Sequence, residues 1–164
     1  MLNISSLAQP WLFSSIAGML FALSSAQAAC PSNPGRFLSN GAEVTDTRSG
    51  LTWARCSEGQ TWSGGACTGA ATSHNHEGAL QLAQAATGWR LPNVKELASL
   101  VDRGCETPAV DKIAFPGIRP TVYWSSSPYV FSSDVAWTVE FNVGDTYHDG
   151  RRSTHPVLLV RAGQ

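Results

Sequence analysis

The residues best suited to chemistry fall between Asp145 and His155, in the run Asp-Thr-Tyr-His-Asp-Gly-Arg-Arg-Ser-Thr-His. Tyr147, His148, Asp149 and His155 offer rigid aromatic area together with charge-assisted hydrogen bonds. The neighbouring guanidinium groups of Arg151 and Arg152 could grip a sulfate or carboxylate through paired N–H donors. Asp145 opens the run, and Tyr129 is assigned to the same 129–155 face. Such mixtures recur in binding loops carried by a rigid scaffold. The plainer alternative is a solvated loop that only joins two strands.

Other chemistry finds less support. Ser125-Ser126-Ser127 supplies hydroxyls, but no Gly-x-Ser-x-Gly elbow surrounds them. His74-Asn75-His76-Glu77 lacks the i, i+4 histidine spacing of a zinc-peptidase helix and reads as the solvated entry to a helix. The expectation is therefore a non-enzyme with no catalytic residue, metal ligand or cofactor. Trp53, Trp89, Trp124 and Trp137 could form a sugar-stacking platform, but three of them sit in or beside apolar strands and are read as core. Trp62, in a polar loop, is the better candidate for exposure. Arg90 and Arg161 are read as buried ion-pair or backbone-bonding residues, with Asp46 and Asp102 among the candidate partners.

The elements that must position these residues follow from periodicity. Phe37 to Arg55 reads as strands with turns, including an Asn40-Gly41 tight turn. One helix is predicted from Glu77 to Ala86. A second runs from Val94 to Arg103, capped by Asn93 and Glu96, with Val94, Leu97, Leu100 and Val101 on one face. From Val135 to Val143 apolar residues alternate with Ala136, Thr138, Glu140 and Asn142, which predicts a strand with one buried and one wet face. Gly144-Asp145 turns it, a polar loop covers Thr146 to Thr154, and Val157 to Val160 forms a buried final strand. Strands, two helices, then strands make an α+β class.

The N-terminus points to export. Trp11 to Leu23 is apolar apart from Ser and Gly, too short to span a bilayer comfortably, and Ala26-Gln27-Ala28 offers a small-x-small cleavage pattern. Residues 1–28 are read as a signal peptide and 29–164 as one domain with one core. A lipid anchor on Cys30 is the alternative, disfavoured by Gln27 where a Leu-like residue belongs. No later segment is apolar enough to span a membrane. The net charge of −1 argues against a nucleic-acid partner. In an oxidising compartment the four cysteines read as two disulfides. Three connectivities are open; Cys56–Cys67 closes a short Gly/Ser-rich loop most easily, which leaves Cys30 for Cys105. Zinc is the weaker rival, since no Cys-x-x-Cys pair exists.

Val44-Thr-Asp-Thr-Arg-Ser-Gly-Leu-Thr-Trp53, Gly88-Trp-Arg-Leu-Pro-Asn-Val-Lys-Glu-Leu97, Tyr123-Trp-Ser-Ser-Ser-Pro128, Ala136-Trp137 and Val160-Arg161 occur in order. Together they resemble the Lcl C-terminal domain family, a bacterial family of unknown function named for a collagen-like adhesin. The resemblance implies a single C-type-lectin-like domain of two helices and antiparallel sheets, at a periplasmic or cell-surface address. It also implies adhesion through sulfated glycosaminoglycans, the partner chemistry being an anionic glycan or an envelope or surface protein. A structural envelope component without a small ligand is the alternative. A distant likeness to formylglycine-generating enzymes is less favoured, because all four cysteines are assigned to disulfides. This chain has no collagen-like stalk.

Overall fold

Four strands gather residues from both ends of the described chain. In the computed structural model, which describes residues 34–105 and 107–163, β1 (Phe37–Asn40), β2 (Glu43–Asp46) and β3 (Leu51–Ala54) form an antiparallel meander, and β11 (Val160–Ala162) pairs with β3. Gly41, at φ 57°, supplies the left-handed residue that the tight β1–β2 turn needs. The 1–28 segment and Cys30 lie outside the described residues.

The second sheet holds β7 (Val122–Pro128), β8 (Val135–Glu140) and β9 (Asp145–Gly150), antiparallel in that order. Two short pairs complete the β structure: β4 (Thr61–Ser63) with β5 (Ala66–Thr68), and β6 (Ser73–His74) with β10 (His155–Pro156). The helices are α1 (His76–Ala85) and α2 (Val94–Ala98). The chain is thus a single α+β domain with two helices and antiparallel sheets. Among the described residues no helix is long and apolar enough to cross a membrane.

The sheet β7–β8–β9 separates two apolar clusters. Successive strand residues point to opposite faces, so Tyr123 joins Val139, Phe141, Leu97 and Leu100 on the α2 side. Trp124 joins Ala136, Ala79, Ala83 and Val157 on the α1 side. Full burial of each large side chain contributes about 1.5–3 kcal/mol. This corrects the expectation of one buried and one wet face for β8. Ala136 and Thr138 are fully buried, while Trp137 is half-buried and Val143 is exposed. The alternation is real, but a helix covers each face. The final buried run also differs: Val157 to Leu159 is core without being strand, and only β11 pairs.

Local chemistry explains the helix ends. The Asn75 side chain accepts from the Gly78 amide at 2.8 Å and caps α1. Asn93 and Glu96 form the reciprocal capping box of α2, with bonds of 2.9 and 2.8 Å. That helix stops at Ala98 rather than Arg103. The Ser99 hydroxyl donates to the Glu96 carbonyl at 2.7 Å, and Leu100 and Val101 bond only three residues back. The tightened turn frees Val101 to bridge Val110. His76 is not a solvated entry either. It is 1% exposed, 3.0 Å from the Ser125 carbonyl through Nε2 and edge-on to Trp124.

Cys56 and Cys67 form a disulfide with Cα atoms 5.5 Å apart. Cys105 is also disulfide-bonded, and Cys30, its assigned partner, lies outside the described residues. The arginine assignments change. Asp46 pairs with Arg36, which is almost wholly buried. Arg90 instead forms a two-pronged bond to Glu96, and Arg161 reaches Glu43 at 2.6 Å. Asp102 accepts from the Gly104 amide.

Candidate binding face

Most of the segment read as a polar loop is a strand. Its first five residues, with Asp145 before them, form β9, at the edge of the sheet and paired with β8 throughout. Polar composition hid it, because an edge strand with solvated positions needs no apolar alternation. The register sets His148 opposite Trp137, Tyr147 opposite Thr138 and Asp149 opposite Ala136. Alternation therefore divides the candidates: His148 stands on the α2 face, and Tyr147 and Asp149 on the α1 face.

On the α2 face, Tyr129 and His148 stack at 4.2 Å with a tilt of 33°. Trp137 meets both edge-on, at 5.3 and 5.9 Å. Phe131 packs against Tyr129 at 5.5 Å while remaining 83% exposed. Arg151 belongs to the same end of the sheet. The Val135 carbonyl accepts from the Tyr129 amide at 3.2 Å and from Arg151 Nε at 3.4 Å. The Arg151 amide donates to the Asp134 carbonyl. Arg152 follows on the exposed side of the turn.

On the α1 face, Asp149 accepts from His155 Nε2 at 2.8 Å, and the His155 ring packs on Trp124. Burial alone would raise the Asp149 carboxyl. Bonds from His155 and the Gly150 amide outweigh it and hold the group below its ordinary value. At the far end of β9, Asp145 pairs with Arg103 at 2.8 Å, and the same Arg103 nitrogen donates to the Gly144 carbonyl. Tyr147 is 48% exposed nearby.

Thus Tyr129 and His148 come together on the α2 face, and Arg151 shares their end of the sheet through the Val135 carbonyl and lies near His76, with Arg152 next in sequence. Asp149 and His155 form a separate pair behind the sheet, and Asp145 and Tyr147 sit at its other end. From sequence, Trp137 is weighed as a stacking residue but read as core, and Phe131 and Arg103 are not singled out. Trp53 and Trp124 are core, but Trp89 and Trp137 are only partly buried. Once β9 is known to be a strand, Trp137 falls opposite His148 and its role is readable. Val130-Phe131, between Pro128 and Ser132, was an apolar pair with no strand or helix to carry it inward. Trp62 is half-buried, its ring covered by the Arg55 guanidinium at 4.0 Å.

Chemically, this face can pack an apolar ring face and bond an anion. The Ser125 hydroxyl donates to the Trp137 carbonyl at 2.7 Å. Among the described residues no cluster of His, Cys, Asp or Glu is arranged to hold a metal ion.

Residues 42–161 match the Lcl C-terminal domain family, and the chain belongs to it. No curated protein matches the chain.

Proposed function

We propose that this member of the Lcl C-terminal domain family is an exported binding domain that contacts an anionic, sulfated glycan through Tyr129, His148, Arg151 and Arg152. One observation carries the reading: the main-chain amide of Tyr129, whose ring stacks on His148, and the Arg151 side chain bond the same carbonyl, that of Val135, so an aromatic stack and an arginine share one end of the sheet. A pyranose ring presents a C–H face that packs on aromatic rings, and a sulfate accepts paired bonds from a guanidinium. The signal-like 1–28 run supports a periplasmic or cell-surface address. No chemical step is assigned to the domain.

Exposure of Val130 and Phe131, at 81% and 83%, favours a second reading in which the same loop docks on an envelope or surface protein. Retention of the mature domain on heparin resin over a salt series tests the first. Wild type should elute later than the Arg151→Ala/Arg152→Ala variant. Identical elution removes the anionic site. Phe131→Ala separates the readings, because it should abolish capture of a protein partner while moving heparin elution less than the arginine variant does.

A further inference from the structure

We infer that the groove between α2 and β9 is a second binding site, for a neutral, hydroxyl-rich saccharide. This goes beyond the anionic-ligand reading and uses neither Arg151 nor Arg152. Two cavities, of about 290 and about 200 Å³, share Ala98 and Thr146 in their walls and so form one trough. Trp137 and Lys95 line one end of it, and Arg103 and Asp145 the other. From the level of His148, opposite Trp137, to Asp145 is three strand residues, about 10 Å at ~3.3 Å each.

Gly144 lets the turn before β9 pack closely against Val101 at one end of the trough. Gly144 has φ +79°, and a Cβ there would lie 2.6 Å from Val101 Cγ1. Ala98 and Thr146 add little more bulk where the two cavities join. Ligand-sized clefts usually combine an apolar wall with a few placed polar groups, and this one does. The half-buried Trp137 gives a ring for a sugar to pack against.

The polar end fits hydroxyls better than ions. Arg103 spends one terminal nitrogen on the Gly144 carbonyl and on one Asp145 oxygen. Among the described residues, its other N–H groups and the second Asp145 oxygen make no hydrogen bond. A donor fork and a carboxylate oxygen therefore stand side by side, both well exposed. Adjacent sugar hydroxyls each donate and accept, so they can satisfy both at once. The ion pair is neutral as a unit and attracts neither a strong anion nor a cation at long range, and the Lys95 ammonium at the Trp137 end offers further donors to hydroxyls.

The test is amide and indole chemical-shift mapping of the mature protein against neutral cello-, malto-, xylo- and N-acetylchito-oligosaccharides. At least one series should produce saturable shifts at Ala98, Arg103, Asp145, Thr146 and the Trp137 indole. Thr146→Tyr should abolish them. That position is exposed strand, where an aromatic residue is well tolerated, so the spectrum should otherwise stay native. Arg103→Ala should weaken binding about tenfold, as expected for loss of a charged hydrogen bond. Failure of every series to shift these residues overturns the proposal, and so do shifts that persist in folded Thr146→Tyr. The Arg151→Ala/Arg152→Ala variant alters no wall of the trough and should keep these shifts, so the two readings fail separately.

Discussion

Asp46→Ala should be among the most damaging single changes in the domain, and its cost follows from the structure. The Asp46 and Arg36 side chains are 1% and 6% exposed. Two bonds of 3.2 and 3.0 Å join them, and Arg36 also donates to the Ser99 carbonyl at 2.6 Å. The Arg48 amide donates to Asp46 at 3.0 Å. Removing the carboxylate strands a buried guanidinium with one carbonyl partner, a loss of about 3–5 kcal/mol. For a domain of this size, at roughly 3–5 °C per kcal/mol, Tm should fall by about 10–20 °C. Arg36→Met/Asp46→Leu removes both charges and should recover most of the loss, since apolar replacements of a buried pair are often near neutral. Urea unfolding of the three proteins measures both effects. Burial would raise the Asp46 carboxyl, but the Arg36 and Arg48 bonds outweigh it and hold the group below its ordinary value. Its contribution is therefore complete above the unfolded value of about 3.9, and is lost as pH falls through the lower folded value. A single-variant loss under about 1 kcal/mol would refute the reasoning, as would a double variant no better than the single one.

Two further predictions concern elements that frame the sites. Burial pushes the His76 imidazole below its ordinary value; the bond to the Ser125 carbonyl opposes this, and the nearby Arg151 adds to it. The neutral ring belongs to the fold, so stability should be full above pH ~6.5 and decline as pH falls towards the folded value. His76→Gln should flatten the urea midpoint across that window, and an unchanged slope would count against a buried neutral ring. Gly144→Ala combines a left-handed φ with a contact against Val101. It should cost about 1–3 kcal/mol in denaturant melts, and a neutral result would show that the α2–β9 connection is more pliant than drawn.

Several parts of this architecture were legible for a stated reason. Asn93 and Glu96 make a capping box because the spacing alone dictates reciprocal bonds. Asn40-Gly41 turns because the backbone there needs a positive φ. The Cys56–Cys67 bridge followed from a short, flexible loop. Other parts were hidden where tertiary context decides. The end of α2 depends on Ser99 and on the later arrival of Val110, neither of which shows in an apolar stripe. The partner of Asp46 is Arg36, ten residues earlier, on the segment that leads into β1. Arg90 and Arg161 sit in apolar motifs yet pair near the surface, with Glu96 and Glu43. Along β9, assigning a loop concealed which of Tyr147, His148 and Asp149 share a side.

That concealment matters because β9 serves two faces at once. A loop could present Tyr147, His148 and Asp149 together; a strand cannot. His148 must go to Tyr129 and Trp137, and Asp149 to His155. A slip of one residue against β8 would exchange them, setting Asp149 against Tyr129 and His148 against Trp124's side of the sheet. The strand is pinned at both ends against that slip. Arg103 clamps the Gly144 carbonyl and the Asp145 carboxylate at its start, and the Arg151 amide bonds the Asp134 carbonyl just past its end. Arg103 also lines the groove between α2 and β9, and the Arg151 side chain bonds the Val135 carbonyl at the other end of the strand. The Arg103 side chain therefore has a positional role as well as a lining role, whereas the pin at Arg151 is a main-chain bond that Arg151→Ala keeps.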